Sequence, residues 1–249
     1  MVSVFLVAAT AIGFIIPIFG KDKTEISVDL TADPIGESGD SAETANPALT
    51  NRELVSEIVL NADNVQRLIA TLSRPSHYYL TSSITLASTD EMINYIGKQW
   101  KSDGRIKTVI SDNVFRNELH YLEQGGTVYS WKQGDVSYNT LPVGEFSSDD
   151  LLMLPTYEDV VEFDKSMISE CGIEKFGSID CISVLVEYPD FAYSERYLIS
   201  IDMGLLVSAE TFKDGDTIYR EAVDFFSYNA PDENVFTLPD SSSPLLGSN

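Results

Sequence analysis

Residues 92–132 read MINYIGKQWKSDGRIKTVISDNVFRNELHYLEQGGTVYSWK. Within them, Met92–Lys101, Arg105–Ser111, Val114–Glu123 and Thr127–Lys132 are rich in β-branched and aromatic residues, with Asp103-Gly104 and Gly125-Gly126 between successive runs. Such pairs supply the positive φ angles that a two-residue hairpin turn demands, so the flanking runs fold back on each other. Runs joined this closely spell an antiparallel meander, which curls into a sandwich or an open barrel.

The rhythm continues on both sides. From His77 the apolar period is two: Tyr78, Leu80, Ser82, Ile84 and Leu86 fall on one face of a strand, and Tyr79, Thr81, Ser83 and Thr85 on the other. Downstream, Gly134-Asp135 turns into Val136–Leu141, and after an interruption strands resume at Ile182–Tyr188, Tyr193–Ile201, Leu205–Phe212 and Thr217–Tyr228, the last pair turned by Lys213-Asp214-Gly215-Asp216. The expected fold class is α+β, mainly antiparallel β.

Two helical segments accompany the strands. Thr50-Asn51-Arg52-Glu53 has the form of a capping box, and Leu54, Ile58, Ala62, Val65, Ile69 and Leu72 follow at spacings of three and four up to Pro75, so one amphipathic helix is expected there. Mid-chain, Ser147-Ser148-Asp149-Asp150 caps a turn of Leu151, Leu152 and Met153 that Pro155 ends. Thr156-Tyr157-Glu158-Asp159 then restarts it with Val160, Val161 and Phe163. This insert alone breaks the meander with apolar residues, which must be buried, so it is expected to plug the mouth of the sheet. Its pieces are shorter than a helix stable alone, and it is either a plug that moves to admit a ligand or a fixed core helix.

The first 50 residues differ in kind. Val2–Gly20 is an uncharged apolar run close to the roughly 20 residues a membrane-crossing helix needs, without the basic start and small-residue cleavage site of a signal peptide. An uncleaved membrane anchor is expected at 1–20, then a disordered acidic stalk at 21–49 that is poor in large apolar residues. One domain at 50–240 and a disordered tail at 241–249 complete the plan.

The chain carries 39 acidic against 16 Lys and Arg residues, a net charge of −23. That charge repels phosphate backbones, so nucleic acid is excluded as a partner; a solvated surface or a basic protein partner accounts for it. His77 and His120 are the only histidines, and neither sits in a metal-ligand or triad motif. Phosphate-binding Gly loops, dinucleotide fingerprints and EF-hand loops are absent. No enzyme activity, cofactor or metal is expected. Cys171 and Cys181 flank what reads as a hairpin, where they form a disulfide or serve as two small apolar residues.

The order of elements over residues 50–240 resembles the LolA/LolB/RseB-like lipoprotein-carrier superfamily. The best local echo runs from Tyr193 to Glu210, YSERYLISIDMGLLVSAE, similar to that family's strand, D-x-x-T/G-G-L, strand step; Phe236-Thr237-Leu238-Pro239 is similar to its terminal F-x-x-P. The resemblance implies an open half-barrel sheet with an N-terminal helix and a mid-chain helical plug, working on the extracytoplasmic side. Within the group, GerS-like germination lipoproteins of Gram-positive spore formers bind a cell-wall amidase, and the present chain lacks their lipobox Cys. The resemblance also implies an apolar hollow, whose candidates are Tyr78, Leu80, Ile84, Leu86, Trp100, Trp131, Tyr197 and Ile199 unless these simply fill the core. Two functions remain open: a membrane-tethered module docking a cell-envelope protein, and a binder of lipid or lipoprotein acyl chains.

Overall fold

The structure, a computed structural model, describes residues 50–87, 92–112, 117–143 and 154–239. The chain divides into two units, Met1–Leu49 and Thr50–Asn249, and the second is described below. The anchor, the stalk, the tail and the plug residues Leu151, Leu152 and Met153 lie outside the described residues.

The sheet is antiparallel and open. β1 (Tyr78–Ala87), β2 (Met92–Ser102), β3 (Arg105–Asp112), β4 (Glu118–Gln124), β5 (Thr127–Lys132) and β6 (Asn139–Pro142) form one wing. β7 (Ile168–Phe176), β8 (Ile179–Tyr188), β9 (Tyr193–Ser200), β10 (Leu206–Lys213) and β11 (Asp216–Ser227) form the other. The strands lie in the order β6-β5-β4-β3-β2-β1-β11-β10-β9-β8-β7, so the wings meet where the first strand pairs with the last. Ser102 pairs with Arg105 around Asp103 (φ 49°) and Gly104 (φ 74°), and Gln124 with Thr127 around Gly125 (φ 57°) and Gly126 (φ 75°). These are the positive-φ hairpin turns that the sequence demands.

Where one long helix was expected there are two short ones, α1 (Asn51–Ser56) and α2 (Val65–Thr71). The break is made by asparagine side chains taking over backbone groups. The Asn64 amide accepts from the Asn61 N–H at 2.9 Å and donates to the Val59 carbonyl at 2.9 Å, and the Asn61 side chain accepts from the Asp63 N–H. α1 keeps its capping box between Thr50 and Glu53. It is fastened by Asn51, which accepts from the Ser73 N–H and donates to the Ser73 carbonyl, and by Arg52, which meets Asp202 and Asp180. α3 (Tyr157–Glu162) has a second capping box, Thr156 with Asp159. Gln66 of α2 donates to the carbonyls of Val160 and Phe163 and so staples the two helices together.

Register assigns each side chain to a face. Ile84 pairs with Glu221, Glu221 with Ala209, Ala209 with Tyr197, Tyr197 with Val184 and Val184 with Cys171, one row crossing six strands. This is the face under the helices: Phe163 meets the Tyr197 ring at 5.6 Å, and Val65, Ile69, Val160, Val184 and Ile199 are fully buried. On the opposite face, Tyr79 pairs with Trp100, Trp100 with Lys107 and Lys107 with Leu122, while His120 pairs with Trp131. The C-terminal 3-10 turn Glu233–Phe236 covers part of that face, driving Phe236 against Leu122 and Trp131 while Arg105 forks Glu233 at 2.8 and 2.9 Å.

The disulfide does not form. Both cysteines are free; Cys171 pairs with Val184 and Cys181 with Glu174, so they are three positions out of register and on opposite faces of the hairpin.

A half-polar hollow under the helices as candidate functional site

Between the helix-side face of β1–β3, β10 and β11 and the segment leading into α3 lies a hollow of about 110 Å3. Leu154, Pro155, Thr156, Tyr157 and Glu158 roof it. Its position follows from local chemistry: Pro155 cannot continue a helix, so the chain enters α3 through an extended, capped turn that stands off the sheet. The guanidinium of Arg74 lies 3.4 Å from the centre of the Tyr157 ring and fixes that end of the roof. Burial pushes the Tyr157 phenol up to about 12, and its hydrogen bond to Glu158 adds to this.

The floor is mixed. Tyr78 and Leu80 supply apolar wall, but Ser82, Gln99, Thr108 and Glu221 also line it. The Tyr78 hydroxyl donates to Gln99 at 2.7 Å, and the Gln99 amide approaches Thr108 at 3.5 Å. The Glu221 carboxylate accepts from the Tyr219 hydroxyl at 3.1 Å and from Ser82. It sits deep among surrounding atoms yet keeps some accessible surface, which opens into the hollow. Burial pushes its carboxyl up to about 7, against the opposing pull of the two hydroxyls. Gly97 lies beside Ser82 in the same register; a Cβ there would stand 2.5 Å from the Ser82 hydroxyl.

Of the eight residues expected to line an apolar hollow, six lie on the helix-side face, but only Tyr78 and Leu80 reach the hollow. Ile84, Leu86, Tyr197 and Ile199 are buried core. Trp100 and Trp131 fall on the other face: Trp100 stacks on Tyr79 at 5.0 Å, and Trp131 packs under Phe236. There Lys107 lies 3.6 Å from the centre of the Trp131 ring and His120 stacks on it at 5.3 Å; burial lowers Lys107 to about 7 and His120 to about 4. Of the plug residues, Val160 is fully buried, Phe163 touches Tyr197, and Val161 is half-buried. Ser82, Gln99, Thr108 and Glu221 were not anticipated, although Ser82 shares the period-two row of Tyr78 and Leu80. A polar residue inside an otherwise apolar row was the available signal.

A second buried carboxylate, Glu195, accepts from Tyr188 at 3.0 Å and Tyr197 at 2.8 Å under the helices, and burial raises its pKa. Among the described residues no three His, Cys, Asp or Glu side chains gather as a metal site, and no helix is long and apolar enough to cross a membrane.

No protein-family model matches the chain, and no curated protein matches it in sequence. Solved structures do. An uncharacterized conserved protein from Thermus thermophilus aligns at 7% identity and TM-score 0.46, over 76% of this chain and 94% of that one. MucB, in complex with MucA(peri), aligns at 12% identity and TM-score 0.40 over 65% of this chain and 54% of that one. A LolA superfamily protein from Nitrosomonas europaea aligns at 9% identity and TM-score 0.34, over 77% of this chain and 99% of that one. Among the described residues the chain itself has an open antiparallel sheet with helices on one face.

Proposed function

We propose that this chain is a non-enzymatic binding protein, tethered at residues 1–20 and held off the membrane by the stalk, whose domain outside the cytoplasm docks a cell-envelope protein through the hollow roofed by the start of α3. The polarity and size of the hollow carry this reading. About 110 Å3 lies below the ~300 Å3 at which pockets for whole small ligands begin. An acyl chain laid over Ser82, Gln99, Thr108 and Glu221 would strip water from groups it cannot pair, at roughly 1–3 kcal/mol for each such group. A polar protein segment can pair with them. The acidic surface of the chain favours a basic partner and speeds its encounter.

Native mass spectrometry of the full chain purified from a lipid-containing host tests this reading. The expected mass is that of the protein alone; a stoichiometric co-purifying lipid would replace protein docking with acyl-chain carriage.

A further inference from the structure

The hollow is a half-finished ion pair. Glu221 has two hydroxyl partners, Ser82 and Tyr219, and among the described residues no Lys, Arg or His lies within ion-pair distance of it. Nor does any cation contribute to its electrostatics. The nearest basic residue on the lining of the same face, Lys101, pairs with Tyr78, whereas Glu221 pairs with Ile84; six residues of strand, roughly 20 Å at about 3.3 Å each, separate the two rows. A carboxylate held inside a protein without a counter-charge is costly, and chains usually give such a group a partner or dispense with it.

A second, independent observation concerns Gly97. A glycine inside a strand weakens it, and commonly marks a place where a ligand or another backbone comes close. Gly97 has an ordinary strand conformation, so no turn requires it. It faces the hollow beside Ser82, where any larger residue would collide with the hydroxyl that holds Glu221. The glycine therefore makes room for that hydroxyl, with Ile84 and Ile110 packed close behind it, and so keeps Ser82 on the carboxylate. The hollow that the carboxylate opens into is the size of one side chain, and the chain as a whole attracts cations.

We infer that the hollow is a socket for the ammonium group of a lysine side chain presented by a basic protein partner, with Glu221 as counter-charge and Ser82 and Tyr219 holding the carboxylate in place. The assignment rests on the docking function proposed above and names the group that enters. When the lysine enters, Glu221 gives up its proton to solvent and the ammonium takes its place. The four-carbon stem lies along Leu80, the apolar wall next to Ser82 on the same face of β1. Entry and protonation exclude each other, so binding strengthens as pH rises towards 7 and levels off above it.

The test uses n-butylammonium chloride, the lysine side chain itself, on the full chain. Infrared difference spectra follow the carboxyl band that disappears in Glu221→Gln. Butylammonium should move the titration midpoint of that band down by about one pH unit or more, and its affinity should rise roughly tenfold per unit between pH 5 and 7. The uncharged n-butanol should leave the midpoint where it is. Glu221→Gln, nearly identical in shape, should lose the binding measured by calorimetry. An unchanged midpoint, an equal shift with n-butanol, or undiminished butylammonium binding in Glu221→Gln would overturn the socket. Binding of butyrate in the hollow would overturn the lysine assignment and leave protein docking standing, whereas a co-purifying lipid would remove docking itself.

Discussion

Replacing Glu221 with Gln should make the protein more stable at neutral pH and change its pH profile in a defined way. In the unfolded chain the carboxyl titrates near its model value of 4.5; in the folded chain burial lifts it to about 7. Below pH 4.5 the group is neutral in both states and contributes no penalty. Between 4.5 and 7 the unfolded chain releases the proton first, so stability falls with pH, and above 7 the loss is constant. At about 1.4 kcal/mol per pH unit, the gap corresponds to about 3 kcal/mol of stability lost between pH 4.5 and 7. Gln keeps an oxygen that accepts from Ser82 and Tyr219, removes the ionisation and so removes the slope. For a domain of this size, thermal melts at pH 7.5 should place Glu221→Gln roughly 6–12 °C above the parent, with the two curves converging near pH 4.5. Parallel curves across pH 4.5–7.5 would show that Glu221 ionises in the folded state as easily as in water, and the account of a desolvated carboxylate would fail.

Gly204, at φ 65°, would place a Cβ 2.7 Å from the Ser73 carbonyl, so Gly204→Ala should lower stability in urea unfolding by about 2 kcal/mol or more; a loss under 0.5 kcal/mol would mean that the turn yields freely. In native protein, alkylation should label half-buried Cys171 well before buried Cys181, and intact mass should show two thiols without reductant; a disulfide would require a three-residue register slip of β7 against β8. Amide exchange in α3 should outpace that in β9 and β11, because one short helix held by Gln66 and Val160 opens more easily than a paired strand. Equal protection would make α3 fixed core.

The strands were legible because their determinants are local. Asp103-Gly104 and Gly125-Gly126 announce hairpins wherever they sit, and Thr127–Lys132 appears with the bounds expected of it. Val136–Leu141 shrinks to Asn139–Pro142, leaving Val136 and Tyr138 exposed outside the strand. Faces were harder to read, because parity carries across a turn only once the register is known. Trp100 and Tyr78 are both even-numbered, yet residues paired across β1 and β2 have opposite parity, so Trp100 joins Tyr79. The cysteines failed for the same reason: symmetry about Phe176 would pair them, but the chain turns at Gly177, whose φ of 60° fixes the hairpin one and a half residues later. The helix break at Asn61–Asn64 hid inside correct apolar spacing because side-chain competition for backbone groups leaves that spacing untouched. The polar floor stayed hidden because a polar residue in a strand ordinarily points to water, and the bulge that shifts β11 against β1 between Thr81 and Ser82 breaks the period by which β11 could be assigned to a face.

The pairing of the first strand with the last also sets the order in which the chain can assemble. Every other ladder joins consecutive strands, so each wing can zip up from nearest neighbours as soon as its own sequence is available, with small loops to close. The β1–β11 ladder instead joins Tyr79 to Ser227 and must wait for both wings. It is a seam, closed last and nucleated least. A chain cut between β6 and α3 would yield two pieces, each a contiguous run of hairpins, left to be reunited by the shared ladder, the docking of α2 on α3, the pairing of Arg52 with Asp180 and Asp202, and the packing of Glu233 and Phe236 on Arg105, Leu122 and Trp131. Their reassembly would bring Ser82 and Gly97 from one piece to Glu221 on the other, so the hollow would serve as the signal that the seam had closed.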